Sequence, residues 1–157
     1  MAAGAWVVPD KAKLNFESAT NTLAQSTAAN FKIALVSSAW TPANSTDEVW
    51  ADVSANEIAN GNGYTTGGAA AATVTLNQTS GTVKFTLTFA SPTWTASGTG
   101  IPAWRRGVLY YSGTLNSKVN PLIAHFLGDS TPADIPLTTS GNTITLTMNA
   151  SGILTIA

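Results

Sequence analysis

From Gly81 to Phe89 apolar and polar side chains alternate without a break: Val83, Phe85, Leu87 and Phe89 take one set of positions, and Thr82, Lys84, Thr86 and Thr88 the other. Successive side chains of an extended chain point to opposite faces. The run therefore predicts a half-buried antiparallel strand, apolar on one face and hydroxyl-rich on the other. Thr143 to Met148 repeats the pattern, with Ile144, Leu146 and Met148 opposite three threonines, and Phe31 to Leu35 sets Phe31, Ile33 and Leu35 opposite Lys32 and Ala34. Ala69 to Leu76 ends in Thr-Val-Thr-Leu, which the turn formers Asn77 to Gly81 join to the central strand as a hairpin. Val108 to Tyr111 is apolar on both faces, as a strand inside a sheet would be. Leu122, Ala124 and Phe126 alternate with Ile123, His125 and Leu127, and a closing strand, Ile153 to Ile156, follows a turn at 149–152.

The remaining segments read as connections. Thr46, Asp47 and Glu48 supply an N-cap and an acidic first turn for a short helix around 47–53, with Val49 and Val53 one turn apart. Residues 1–16, holding Trp6, Val7 and Val8 ahead of Pro9, have neither a helical stripe nor an alternation and read as an arm. A terminal segment carrying Trp docks on its own domain or inserts into a neighbour, because left free it exposes a large aromatic surface. About eight short strands separated by Gly, Pro and Asn turns predict an all-β fold, an antiparallel two-sheet sandwich of jelly-roll type with at most one short helix. The arm at 1–16 then precedes a single domain at 17–157.

Composition narrows the chemistry. The chain of 157 residues has no cysteine, which removes disulfides, thiol nucleophiles and Cys-ligated zinc. Only 10% of residues are charged, the formal net charge is −1, and Arg105-Arg106 is the sole basic cluster, so no nucleic-acid partner is expected. The opening MAAGAWVVPDKAK is expected to be neither a signal peptide nor a membrane span, and no apolar run reaches the roughly 18 residues a span needs. Low charge beside 44% hydrophobic residues and many Thr, Ser and Ala fits a surface that a partner covers, or a Thr-rich sheet whose hydroxyls face water.

Four candidate sites can be weighed on residue type and spacing. Asp47, Glu48, Asp52 and Glu57 suggest a metal or acid–base cluster, but no Asp-x-Asp-x-Asp-Gly loop or nearby His completes one. Glu57 to Gly68, EIANGNGYTTGG, is rich in residues that permit positive φ; it lacks the Gly-Lys-Ser/Thr ending of a phosphate loop, and its glycines miss the GxGxxG spacing. His125, the single histidine, sits among apolar neighbours and reads as a hydrogen-bonded core or edge residue rather than a catalyst. Trp40, Trp94 and Trp104 lie in predicted loops, and Trp104-Arg105-Arg106 has the composition of a binding hot spot or of a capped sheet end. Trp6, Val7, Val8, Trp40, Trp94, Trp104, Arg105 and Arg106 are thus the candidate protein-contact residues, and no catalytic residue, cofactor or metal is expected.

Several segments together resemble a family of small virion structural proteins of tailed bacteriophages: FKIALVSSAWTP, EIANGNGYTTGG, the WTASG of Trp94 to Gly98, the VLYYSG of Val108 to Gly113, the PLIAHFLGD of Pro121 to Asp129, and the closing NASGIL. The resemblance runs from about residue 31 to the end, and the order of the segments is more specific than any one of them. It implies a non-enzymatic part of the phage particle, best suited to capsid decoration. The implied partners are the major capsid protein or other virion proteins and further copies in a dimer or trimer, with no membrane. The implied location is the capsid surface, after synthesis in the host cytoplasm. A neck, tail or fibre-associated receptor- or carbohydrate-binding module is the alternative, with exposed Trp40, Trp94 or Trp104 stacking on sugar rings; a two-carboxylate glycosidase would need an acid pair that no spacing fixes.

Overall fold

The computed structural model describes residues 3–13, 30–70 and 91–147. Its strands are β1 (Phe31–Val36), β2 (Ala69–Ala70), β3 (Thr93–Thr95), β4 (Arg106–Tyr111), β5 (Thr114–Leu115), β6 (Lys118–Val119), β7 (Leu122–Leu127) and β8 (Thr143–Thr145). They form a four-stranded antiparallel sheet in the order β2-β1-β4-β7 and two-stranded sheets β3-β8 and β5-β6, none closed into a barrel. The predominantly β, antiparallel fold expected from the periodicity is the one that forms. The strand expected at 81–89, most of the hairpin leading into it, Met148 and the closing strand lie outside the described residues.

The central pair β1-β4 is buried on both faces apart from the half-buried Lys32 and Arg106, which is why Val108 to Tyr111 shows no polar alternation. On the first face Phe31, Ile33, Leu35, Leu109 and Tyr111 form the main core with Tyr64, Ile101, Trp104, Ile123 and Phe126. Trp94 of β3 and Ile144 of β8, cross-strand partners, lie over it, so the small β3-β8 sheet makes the second layer of a sandwich. On the second face Ala34, Val36, Val108, Tyr110 and Leu122 pack against Trp40, Trp50 and Val53.

Two expectations change in detail. The alternation read along 122–127 breaks at a bulge: Ala124 lies opposite Leu109 and Leu122 opposite Tyr110, so Ile123 is the extra residue. Ile123 therefore joins Phe126 in the first-face core while Leu122 turns to the second. The helix expected near 47–53 is replaced by two 3-10 turns, Trp50–Asp52 and Ser54–Asn56. Tertiary pairing is the cause: Val49 is extended at φ −129° and bridges Pro121, and Trp50 N–H donates to Asn120 O at 2.8 Å. Asp52 Oδ2 then accepts from Glu48 N and Val49 N at 2.8 and 2.9 Å, closing the turn locally. Two reversals use paired left-handed residues, Asn62-Gly63 and Asn116-Ser117, as two-residue hairpin turns require.

Candidate contact surface

The N-terminal arm docks on its own domain. Gly4 N–H donates to Leu127 O at 2.9 Å, Val7 N–H to His125 O at 2.7 Å, and His125 N–H returns a bond to Val7 O at 2.9 Å. The arm thus runs antiparallel along the edge of β7 that β4 leaves free. Between these bonds Trp6 turns inward and meets Phe126, ring centroids 4.5 Å apart and planes at 59°. Val8 is half-buried and Val7 faces outward, 39% exposed. Pro9, which has no N–H to continue a ladder, ends the strand, and a helical turn at 10–13 follows with Asp10 N–H on Asn44 O at 3.0 Å.

His125 anchors this junction twice. Its backbone pairs with Val7, and its ring, on the second face, lies 3.0 Å from Asn44 Oδ1 through Nε2; the neutral ring protonated on Nε2 donates that bond. Trp40 stands edge-on to it at 5.3 Å. Burial first, then the charge of Arg106, lowers the His125 pKa to about 4, against a smaller opposing influence of Asp47. Trp40 is held in turn by its Nε1–H on Asp47 Oδ2 at 3.1 Å and by Arg106, which donates from Nη1 to Trp40 O at 2.9 Å and lies 5.9 Å from the ring centroid.

The other tryptophans belong to the interior as well. Trp40, Trp94 and Trp104 are 5, 5 and 3% exposed, so sugar stacking on exposed rings is not available to them. Their loops fold back because each backbone finds a partner: Trp94 in β3, and Trp104 in a two-bond bridge with Ile135 at 2.7 and 3.1 Å. The Trp104 ring covers Gly128, where a Cβ would come within 2.7 Å of Cζ3. Its Nε1 is buried with no hydrogen-bond partner among the described residues. Arg105 Nε pairs with Asp134 Oδ1 at 2.7 Å, tying the same loop to β4. Trp6, Trp40 and Arg106 are therefore gathered near β7 and the arm, whereas Trp94, Trp104 and Arg105 sit around β3 and the 128–142 loop.

EIANGNGYTTGG closes the edge of β1 where the short β2 ends. Glu57 bridges Val36, Ile58 N–H donates to Leu35 O at 3.1 Å, and Leu35 N–H donates to the Tyr64 hydroxyl at 3.0 Å. That hydroxyl donates to Glu57 Oε1 at 2.7 Å, which also accepts from Gly67 N at 2.7 Å. Burial, and next the bond to Glu57, raises the Tyr64 pKa well above the ordinary phenol value; burial, then the Glu57 charge, pushes Tyr110 up to about 12. Gly68, at φ +74°, passes so close to β1 that a Cβ would lie 1.9 Å from Ile33 O. Gly63 and Gly68 thus serve close backbone approach, and Gly67 N–H holds the Glu57 carboxylate.

The carboxylates weighed as a cluster are dispersed among separate partners. Asp47 holds Trp40 and Ala43 N–H, Asp52 caps its turn, Glu57 holds Tyr64 and Gly67, and Glu48 pairs with Lys118 at 3.1 Å. Among the described residues no three His, Cys, Asp or Glu gather as metal ligands. The fold and its contacts define a small antiparallel β-sandwich whose terminal arm completes one sheet edge. No family model, curated protein or solved structure matches the chain.

Asn44, Asp134 and Glu57 emerge as fasteners that sequence did not single out as such. The one available signal was Glu57 and Tyr64 flanking a glycine-rich turn.

Proposed function

We propose that this chain is a structural protein of a tailed-phage particle and, within it, a capsid decoration protein that binds the assembled shell and stabilises it. The observation that carries this reading is the ordered set of segments resembling small virion proteins. The described ones build the scaffold itself: FKIALV is β1, EIANGNGYTTGG closes its edge, WTASG contains the end of β3, VLYYSG spans most of β4, and PLIAHFLGD contains β7. A resemblance confined to scaffold supports a part that is built into something larger. The few charges also favour assembly, since a skin of Thr, Ser and Ala loses less on dehydration than one of Lys and Glu.

The partners on this reading are the major capsid protein and further copies of the chain. Mixing purified protein with bare capsids at increasing ratio should give co-sedimentation that saturates at a fixed copy number and raises the temperature at which the shells open. Absence of binding, with antibody labelling of intact particles at the neck or tail, would replace decoration by the neck or tail reading.

A further inference from the structure

We propose that the free edge of β7 is a strand-docking site that exchanges the chain's own arm for the arm of a second copy, linking copies through residues 3–8. The inference does not depend on the phage reading. Everything the site recognises lies in one short strand: Leu127 O, both backbone groups of His125, and the Phe126 ring. What it recognises is equally compact, an extended segment with N–H groups three residues apart at Gly4 and Val7 and an indole between them. A second copy presents that same segment, so an arm supplied in trans makes the identical bonds.

Charge neither selects another partner nor opposes this one. The first eight residues carry no charged side chain, β7 carries none but the His125 ring, and the formal net charge of −1 leaves little repulsion between copies. Among the described residues the arm is held by three backbone bonds to β7, the Trp6–Phe126 contact, the Asp10–Asn44 bond and the burial of Pro9 and Ala12, all of which an arm supplied in trans would re-form. Between Lys13 and Asn30 the chain has residues 14–29, a length that extended at roughly 3.3–3.6 Å per residue exceeds 50 Å. The acceptor edge is a regular strand: His125 to Leu127 stay in register with β4 on the opposite edge, and the bulge at Ile123 lies beyond the arm's seat. Because intramolecular docking is favoured in dilute solution, linking should rise with concentration and be strongest where copies are crowded on a surface.

A chain without cysteine permits a direct test. A Cβ on Gly4 would lie 3.0 Å from Leu127 Cβ, and a disulfide needs about 3.5–4.5 Å, so cysteines at these positions bridge with a small shift. Gly4→Cys and Leu127→Cys variants, purified separately, mixed and oxidised, should give a disulfide-linked dimer containing one of each, in a yield that climbs at least several-fold between micromolar and near-millimolar protein. The double variant should close within one chain at low concentration, establishing that the pair can form. If it closes but the mixture yields no mixed dimer at any concentration, the exchange is overturned. The unaltered chain gives an independent reading: light scattering should show larger species as concentration rises, and excess synthetic MAAGAWVVP should return them to monomers. A monomer at every concentration, or oligomers indifferent to the peptide, would equally overturn the proposal.

Discussion

The two faces of the four-stranded sheet are buried by different means. The first is covered by another sheet, whose Trp94 and Ile144 rest on Phe31, Ile33, Leu35 and Leu109. The second is covered by residues 37–56, which contain only turns and bring Trp40, Trp50 and Val53 onto Ala34, Val36, Val108 and Tyr110; Trp50 stacks on Tyr110 at 4.6 Å with planes 10° apart. A sheet satisfies its own backbone and can be held by apolar area alone. A loop cannot, and here Asp47, Asp52, Arg106 and the His125–Asn44 pair do the fastening. The second face also carries the buried His125, whose protonation opposes folding, so acid should tell there more than on the first face.

The largest effect should come from breaking the first face. Phe31 is fully buried and meets Tyr111 edge-on at 5.1 Å, so Phe31→Ala should lower stability by about 3–5 kcal/mol in urea denaturation. Its pH profile should keep the unaltered chain's shape, because no ionisable fastener is touched.

Acid should act on the second face. The His125 pKa falls from about 6.5 unfolded to about 4 folded, so above pH 6.5 both states are neutral and nothing is lost. As pH falls through 6.5 the unfolded chain takes up the proton first, and stability declines until about pH 4, by roughly 3 kcal/mol in all. His125→Gln should remove that part of the slope, measured as the difference between the two urea midpoints across the range. Equal slopes would mean the ring is not held neutral.

Asp47→Ala should sharpen the contrast at smaller scale. It leaves Trp40 Nε1–H and Ala43 N–H without their acceptor, for a loss of about 1–3 kcal/mol together with a shift in Trp fluorescence. The smallest effect belongs to neither face: Lys13→Ala breaks the exposed Asp10 pair at 3.1 Å and should change the urea midpoint by less than about 0.5 kcal/mol.

The same contrast explains what could be read from the residues. Phe31 to Val36 and Val108 to Tyr111 were legible as strands because local periodicity, or its absence in a doubly buried strand, follows directly from the pleat. The bulge at Ile123 was not, since an inserted residue leaves an apolar run looking regular. Trp40, Trp94 and Trp104 were placed in loops, but whether a loop folds back depends on distant partners such as Asp47, Ile144 and Ile135. Trp6-Val7-Val8 was recognisable as an arm by its lack of period. Its seat on β7 was not, because strand pairing between remote segments leaves no spacing to find.

β7 reads Leu-Ile-Ala-His-Phe-Leu, with none of the lysines, glutamates or prolines that usually keep an open strand edge from recruiting other chains. Among the described residues its guard is the arm. Solubility would then rest on residues 3–9 rather than on charge repulsion. Deleting residues 3–9 should therefore make the protein precipitate at concentrations the unaltered chain tolerates.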